Sequence, residues 1–262
     1  MMGFAVIIGE VIASSAISAR AAFYGFMAGF FLLASSMVLN DYFDLEIDAI
    51  NAPDRPLPSG LISSTEAVSF ALLLASIGLF SSAHTGIWTL IIASVSLLIA
   101  FAYNSKFKKA GLLGNSMVST NVAVPFVYGG FAVEGGNLSS LLIFTLLAFL
   151  SSLGREVMKG IVDVPGDNAK GVRSIAVMKG SGYAAKQGAF FFLLAVALSV
   201  LPLILRIVSS YYLPLVGICD VGFLLISYSI VTTPTPQNAK RNKKYALIWM
   251  GFGLLAFVLG TL

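Results

Sequence analysis

Residues 21–48 read AAFYGFMAGFFLLASSMVLNDYFDLEID, an uncharged run over 21–39 that ends at Asn40 and gives way at once to Asp41, Asp44, Glu46 and Asp48. A helix needs about 20 mainly apolar residues to cross the hydrocarbon layer, so the run is a candidate membrane span and the acids mark its exit into water. Blocks of the same kind recur to the end of the chain. They lie near 4–19, 21–39, 65–83, 86–102, 115–133, 138–155, 183–205, 209–231 and 245–261, and they predict an all-α membrane protein, a bundle of about nine transmembrane helices. Period-two alternation, the mark of a membrane β-barrel, is absent from them.

Composition agrees. Of 262 residues 58% are hydrophobic and 11% charged, too apolar for a domain with a hydrated shell, so the bilayer is the solvent. Met1-Met2-Gly3-Phe4 enters the first block with neither a basic region nor a cleavage site, and no cleaved signal peptide is expected. Cys219 is the single cysteine, which excludes an internal disulfide and a thiolate metal site. His84, the single histidine, falls in a connection away from the acids, so a zinc centre is not expected.

Of sixteen Lys and Arg residues, only Arg20 and Arg206 fall in odd-numbered connections. Positive charge gathers on the cytoplasmic side of membrane proteins, which places the even connections, their acids and the N-terminus in the cytoplasm and the C-terminus outside. The net charge of +4 is carried by those loops beside anionic headgroups, and no nucleic-acid or protein partner is predicted.

Two even connections hold most of the acid. In the first, a helix continued past residue 39 puts Asn40, Asp44 and Asp48 one turn apart on one face, with Asp41 three residues from Asp44. Like charges at that spacing repel, and a helix C-terminus disfavours anions, so something positive must compensate. The second runs Arg155-Glu156-Val157-Met158-Lys159-Gly160-Ile161-Val162-Asp163-Val164-Pro165-Gly166-Asp167. Glu156, Asp163 and Asp167 share a stripe if the helix persists, and Pro165-Gly166 predicts a break just before Asp167.

The two clusters end spans four apart on one side, as in two related halves of about 1–112 and 113–231 plus a last helix, all within a single domain, 1–262. Facing acidic helix ends suit a hard divalent cation that takes carboxylate and phosphate oxygens, and Mg2+ fits best. Cations surround them: Arg55, stiffened by Pro56 and Pro58; Lys106, Lys108 and Lys109 after Tyr103; and Arg155, Lys159, Lys170 and Arg173. Such side chains beside carboxylates and metal suit a phosphate-bearing ligand. A diphosphate head at the rim with a hydrocarbon tail among the spans would satisfy both, and Tyr42, Phe43, Phe126 and Tyr128 are candidate aromatic faces for an allylic cation. Glu10 and Asp220, inside spans, give some footing to a transporter, but transport sites gather charge near the midplane rather than at one face.

In order and spacing, Asn40-Asp41-x-x-Asp44-x-x-x-Asp48, Asp54-Arg55-Pro56-Leu57-Pro58-Ser59-Gly60, Tyr103 with its lysines, and Asp163-x-x-x-Asp167 resemble the UbiA superfamily of intramembrane prenyltransferases over essentially the whole chain. Within it, the stretch from Asn40 to Gly60, Gly114-Asn115, and Arg155-Glu156 through Gly171 are most similar to the digeranylgeranylglyceryl phosphate synthases of archaeal lipid synthesis. The resemblance implies a nine-helix bundle with a cytoplasmic cap and Mg2+ bridged from both acidic motifs to a prenyl diphosphate. Asp41, Asp44 and Asp48 would serve the first metal and Asp163 and Asp167 the second, these five forming the catalytic set. Asn40, Arg55, Tyr103, Lys106, Lys108, Lys159 and Arg173 would bind substrate.

The implied donor is geranylgeranyl diphosphate and the implied acceptor a lipid, geranylgeranylglyceryl phosphate; an aromatic, quinone-precursor or chlorin acceptor is the alternative. Two departures stand out. The family's Arg-Pro-x-Asn at the start of the first span has no counterpart, as if that segment were absent, and Phe107 occupies the position of the lysine in its Tyr-x-x-x-Lys pattern.

Overall fold

The computed structural model describes residues 2–14, 18–133, 138–169 and 171–261; residues 15–17 of the first predicted span and Lys170 lie outside them. Every predicted span is realised as helix: α1 (Met2–Ala13), α2 (Ala19–Phe43), α4 (Ser64–Thr85), α5 (Ile87–Ser105), α6 (Leu112–Ala132), α7 (Leu138–Val162), α10 (Ser181–Leu198), α12 (Tyr212–Thr232) and α13 (Pro236–Thr261). Short helices join them: α3 (Leu45–Asn51), a 3-10 turn at Phe107–Lys109, α8 (Val164–Ala169), α9 (Ile175–Lys179) and α11 (Leu201–Ile204). Among the described residues seven helices, α2, α4, α5, α7, α10, α12 and α13, are long and apolar enough to cross a membrane. In α1 only 12 residues are helical, and α6 is diluted by Asn115, Ser116, Ser119, Thr120 and Asn121. This is a multi-pass integral membrane protein.

Local chemistry sets the ends. Ser63 caps α4 in a capping box, its hydroxyl accepting from the Glu66 N–H at 3.2 Å while the Glu66 carboxylate accepts from the Ser63 N–H at 2.7 Å. Gly86, at φ 139°, lets α4 turn directly into α5. α13 begins at Pro236 rather than near 245, because proline suits a first helical turn and the polar residues after it prolong the helix beyond its apolar block.

Burial runs as it must where lipid is the solvent. Phe23, Leu72, Leu98, Phe190 and Leu213 point outward, while Ala28, Ala71, Ala93, Ala184, Ala239, Ala246 and Ala256 fill the helix contacts. Polar bonds tie some of these: the Ser35 hydroxyl donates to the Ala71 carbonyl at 2.9 Å, and the Ser96 hydroxyl donates to Asn121 Oδ1 at 3.0 Å. At Gly129 an added Cβ would come 2.2 Å from the Val6 carbonyl oxygen, so α1 and α6 touch backbone to backbone. Gly129→Ala should therefore lower the unfolding temperature in detergent, by an overpacking cost of about 1–3 kcal/mol. Gly217→Ala, into open space, should not; equal effects of the two would contradict this packing.

The helices alternate in direction, so both acidic motifs reach the same end of the bundle. A shared core there unites Ile161 of α7, Ala176 of α9, Ile230 of α12 and Ala239 of α13. At the far end His84 stacks on Tyr24 at 4.7 Å, and the Tyr128 hydroxyl lies 2.8 Å from that of Thr85. Tyr128 is thus removed from the acids and is no candidate for cation stabilisation beside them.

Candidate active site

The first motif is a jointed helix. Asp44 falls between α2 and α3, yet its N–H donates to the Asn40 carbonyl at 2.9 Å and the Asp48 N–H donates to the Asp44 carbonyl at 2.8 Å. The ladder therefore passes through the joint, and Asn40, Asp44 and Asp48 keep their common stripe. Asn40 Nδ2 donates to Asp44 Oδ2 at 3.1 Å. The same carboxylate oxygen accepts from Lys108 Nζ, which also reaches Asn40 Oδ1 at 3.3 Å. Arg55 Nη1 donates to Asp48 Oδ2 at 2.6 Å and lies 3.6 Å from Asp41 Oδ1. These are the compensating cations that the crowded carboxylates demand, brought from 7 and 64 residues away along the chain. Arg55 is held by its loop, which returns through a Ser59 N–H to Arg55 carbonyl bond of 2.9 Å. Beside this pair, a pocket is lined by Asp41, Asp48, Arg55, Pro56, Pro58 and Phe70.

The second motif is jointed too, one turn earlier than the sequence predicts. α7 stops at Val162, Asp163 forms the bend, and Pro165, Gly166 and Asp167 belong to α8. The proline ring would collide with the carbonyl four residues back if α7 continued; in the opening turn of a new helix it needs no N–H partner. The Asp167 N–H still donates to the Asp163 carbonyl at 2.8 Å, so the two aspartates stay one turn apart. Below them Glu156, buried, accepts from Arg155 Nη1 at 2.8 Å and from Lys159 Nζ at 3.3 Å.

Between the motifs lies the α5–α6 connection. Its Lys108 side chain serves Asp44, while its Lys109 carbonyl accepts from the Arg173 N–H at 3.2 Å. Gly111, at φ 57°, permits that approach; a Cβ there would come 2.3 Å from the Arg173 carbonyl oxygen. Tyr103, at the end of α5, feels the charges of Asp44 from one motif and of Glu156, Lys159 and Asp167 from the other. The α5–α6 connection that follows Tyr103 therefore ties the two acidic ends together, through Lys108 to Asp44 and through Lys109 to Arg173. Of the flanking lysines it is Lys108 that turns inward; Lys106 is exposed, with Nζ 6.0 Å from the Phe107 ring.

Among the described residues no three His, Cys, Asp or Glu side chains come close enough to hold a metal ion unaided. The carboxylates are divided between two helix ends, each with its own cation. Magnesium is usually held by one or two carboxylates with substrate phosphates and water completing the shell, and this divided donor set fits that habit.

Sequence reading missed the cavity beside the second motif. It measures about 320 Å³, opens among α1, α6, α7, α10, α12 and α13, and has Ser152, Arg155 and Glu156 at its acidic end and Phe126, Phe223 and Phe257 along its walls. Helices distant in sequence enclose it, so no local pattern announces it. Asp220 also lines it, accepting from Ser199 Oγ at 2.7 Å. Glu10 lies elsewhere, wholly buried in α1 opposite Gly25 of α2.

Comparison with known proteins gives consistent matches. The sequence model of the UbiA prenyltransferase family matches residues 2–252. A digeranylgeranylglyceryl phosphate synthase of Methanocaldococcus jannaschii is 38% identical over 239 residues, 90% of this chain and 83% of that protein. One from Korarchaeum cryptofilum is 36% identical over 87% of this chain and 81% of its own length. A solved structure described as giving insight into digeranylgeranylglyceryl phosphate synthase in membranes superposes with a TM-score of 0.87 at 36% identity, covering 99% of this chain and 92% of that one. A UbiA homologue of Archaeoglobus fulgidus, bound to GPP and Mg2+, shares the fold at a TM-score of 0.68 and 16% identity over 98% of this chain and 95% of its own.

Proposed function

Given that this chain belongs to the UbiA prenyltransferase family, we propose that it transfers a geranylgeranyl group from geranylgeranyl diphosphate to geranylgeranylglyceryl phosphate, forming the second ether bond of archaeal membrane lipids. One observation carries the reading: the α5–α6 connection bonds Asp44 of the first motif through Lys108 and Arg173 beyond the second through the Lys109 carbonyl, and an apolar cavity reaches Arg155 and Glu156 of the second. The relatives that the chain resembles over most of its length bear the name of that enzyme.

In this reading Asp41, Asp44 and Asp48 would hold one Mg2+ and Asp163 and Asp167 another, with Asn40 orienting Asp44. Bound there, the metal would supply Lewis-acid neutralisation of the departing diphosphate. Lys108 and Arg55 already lie against the carboxylates, placed to donate to phosphate oxygens as the negative charge grows. Lys159, paired with Glu156, would do the same from the second motif, with Arg173 and the exposed Lys106 as further cations for phosphate. The bond from C1 of the donor to oxygen breaks with its electron pair leaving on the diphosphate. The acceptor hydroxyl oxygen then bonds C1, its proton passing to the leaving group. Apolar walls keep water from competing for the cation. Phe43, whose ring lies 5.8 Å from that of Phe101, presents an aromatic face beside Asp44. The chain acts as one domain, with its acidic end in the cytoplasm, following the positive charge of its even loops.

The test is a panel. Purified chain given labelled geranylgeranyl diphosphate, Mg2+ and, separately, geranylgeranylglyceryl phosphate, 4-hydroxybenzoate, a quinone precursor and a chlorin should release diphosphate only with the glyceryl phosphate. A chelator should stop turnover and added Mg2+ restore it. Turnover with an aromatic acceptor alone would replace the acceptor, and turnover unaffected by the chelator would remove the metal.

A further inference from the structure

The most basic stretch of the chain is not used by the acidic site. In its second and third turns α13 carries Lys240, Arg241, Lys243 and Lys244, and it holds no acidic residue. Among the described residues none of the three lysines makes an ion pair, and Arg241 turns aside to donate to Asn238 Oδ1 at 2.9 Å. Membrane topology accounts for positive charge at this end of α13 but not for the face it occupies.

That face is specific. Lys240, Lys243, Lys244, Leu247, Met250, Gly251 and Leu254 follow the spacing of one helical stripe. The last four line the cavity of about 320 Å³ described above, and Leu247, 49% exposed, marks where it opens outward. Met2 and Ala5 of α1 also line it. Three lysines without an ion pair thus continue, one to two turns towards the acidic end, the helix face that lines an apolar chamber whose lining includes Arg155 and Glu156 of the second motif. A ligand matching both parts has an anionic head and a hydrocarbon chain.

We infer that Lys240, Lys243 and Lys244 dock the phosphate of the acceptor lipid beside this cavity, its isoprenoid chain running into it along α13. The inference rests on the proposed acceptor. A phosphate monoester carries close to two negative charges at neutral pH, and a basic residue at a membrane surface attracts such charge over roughly a Debye length. The row would therefore separate the phosphorylated lipid from its uncharged alcohol before chemistry begins.

Calorimetric binding in an uncharged detergent, without donor or metal, tests this with geranylgeranylglyceryl phosphate and geranylgeranylglycerol as probes. The wild-type chain should prefer the phosphate by about tenfold or more, three lysines each contributing on the order of a factor of a few. The triple variant Lys240→Gln, Lys243→Gln, Lys244→Gln should lose most of that margin, and the triple Lys→Arg variant should keep it. In turnover the Gln variant should raise the acceptor KM about tenfold and leave the donor KM in place. A preserved margin in the Gln variant overturns the inference. So does equal displacement of the acceptor by inorganic phosphate or by an ordinary acidic phospholipid, which would make the row a generic anion surface. If the wild-type chain forms no ether yet shows the lysine-dependent margin, the docking surface stands and the proposed reaction falls.

Discussion

Asp44→Ala is expected to lower kcat by about 10³-fold or more while the protein still folds and elutes as the wild type. A metal that neutralises a leaving diphosphate contributes several kcal/mol to the transition state, and each 1.36 kcal/mol is about a factor of ten in rate. Asp44 is the carboxylate on which Asn40 and Lys108 both converge, so its removal takes away the metal ligand and leaves Lys108 without its counter-charge. Folding survives because the Asp44 backbone, not its side chain, carries the helix across the joint. Steady-state turnover with Mg2+ at saturation, alongside a thermal melt, checks both parts; wild-type turnover would contradict the metal assignment.

Asp163→Ala should cost a similar factor, although it lies 119 positions further along the chain (163 − 44). The informative measurement is the double variant. Residues that act as one unit on one leaving group lose their effect together, so Asp44→Ala with Asp163→Ala should be little slower than either single variant. If the two losses multiply, the motifs serve separate steps and the shared-diphosphate account is wrong.

The membrane bundle was legible because apolar blocks of spanning length need no partner to be recognised; among the described residues each of the nine predicted blocks holds a helix, seven of them long and apolar enough to span. The stripe of Asn40, Asp44 and Asp48 was equally legible, since helical period alone fixes it. The position of the second joint was not. Pro165-Gly166 predicts a break just before Asp167, whereas Pro165 lies in the opening turn of α8 and the bend falls at Asp163. Choosing Lys108 over Lys106 also needed coordinates, because a 3-10 turn over Phe107–Lys109 decides which lysine faces Asp44. The cavity was illegible for a different reason: its walls come from six helices, and no one of them carries its signature. Tyr128, chosen for its aromatic face alone, fell at the wrong end of the bundle because sequence gave it no depth.

The claim on which everything else depends is that the two aspartate motifs grip one diphosphate through divalent cations. Crystals grown with Mn2+ and a non-reactive thio-analogue of geranylgeranyl diphosphate would show it directly in an anomalous difference map. The account predicts one peak within coordination distance of Asp44 or Asp48 and another beside Asp163 or Asp167, with diphosphate density bridging the two. Peaks confined to one motif, or diphosphate density bound away from both, would contradict it.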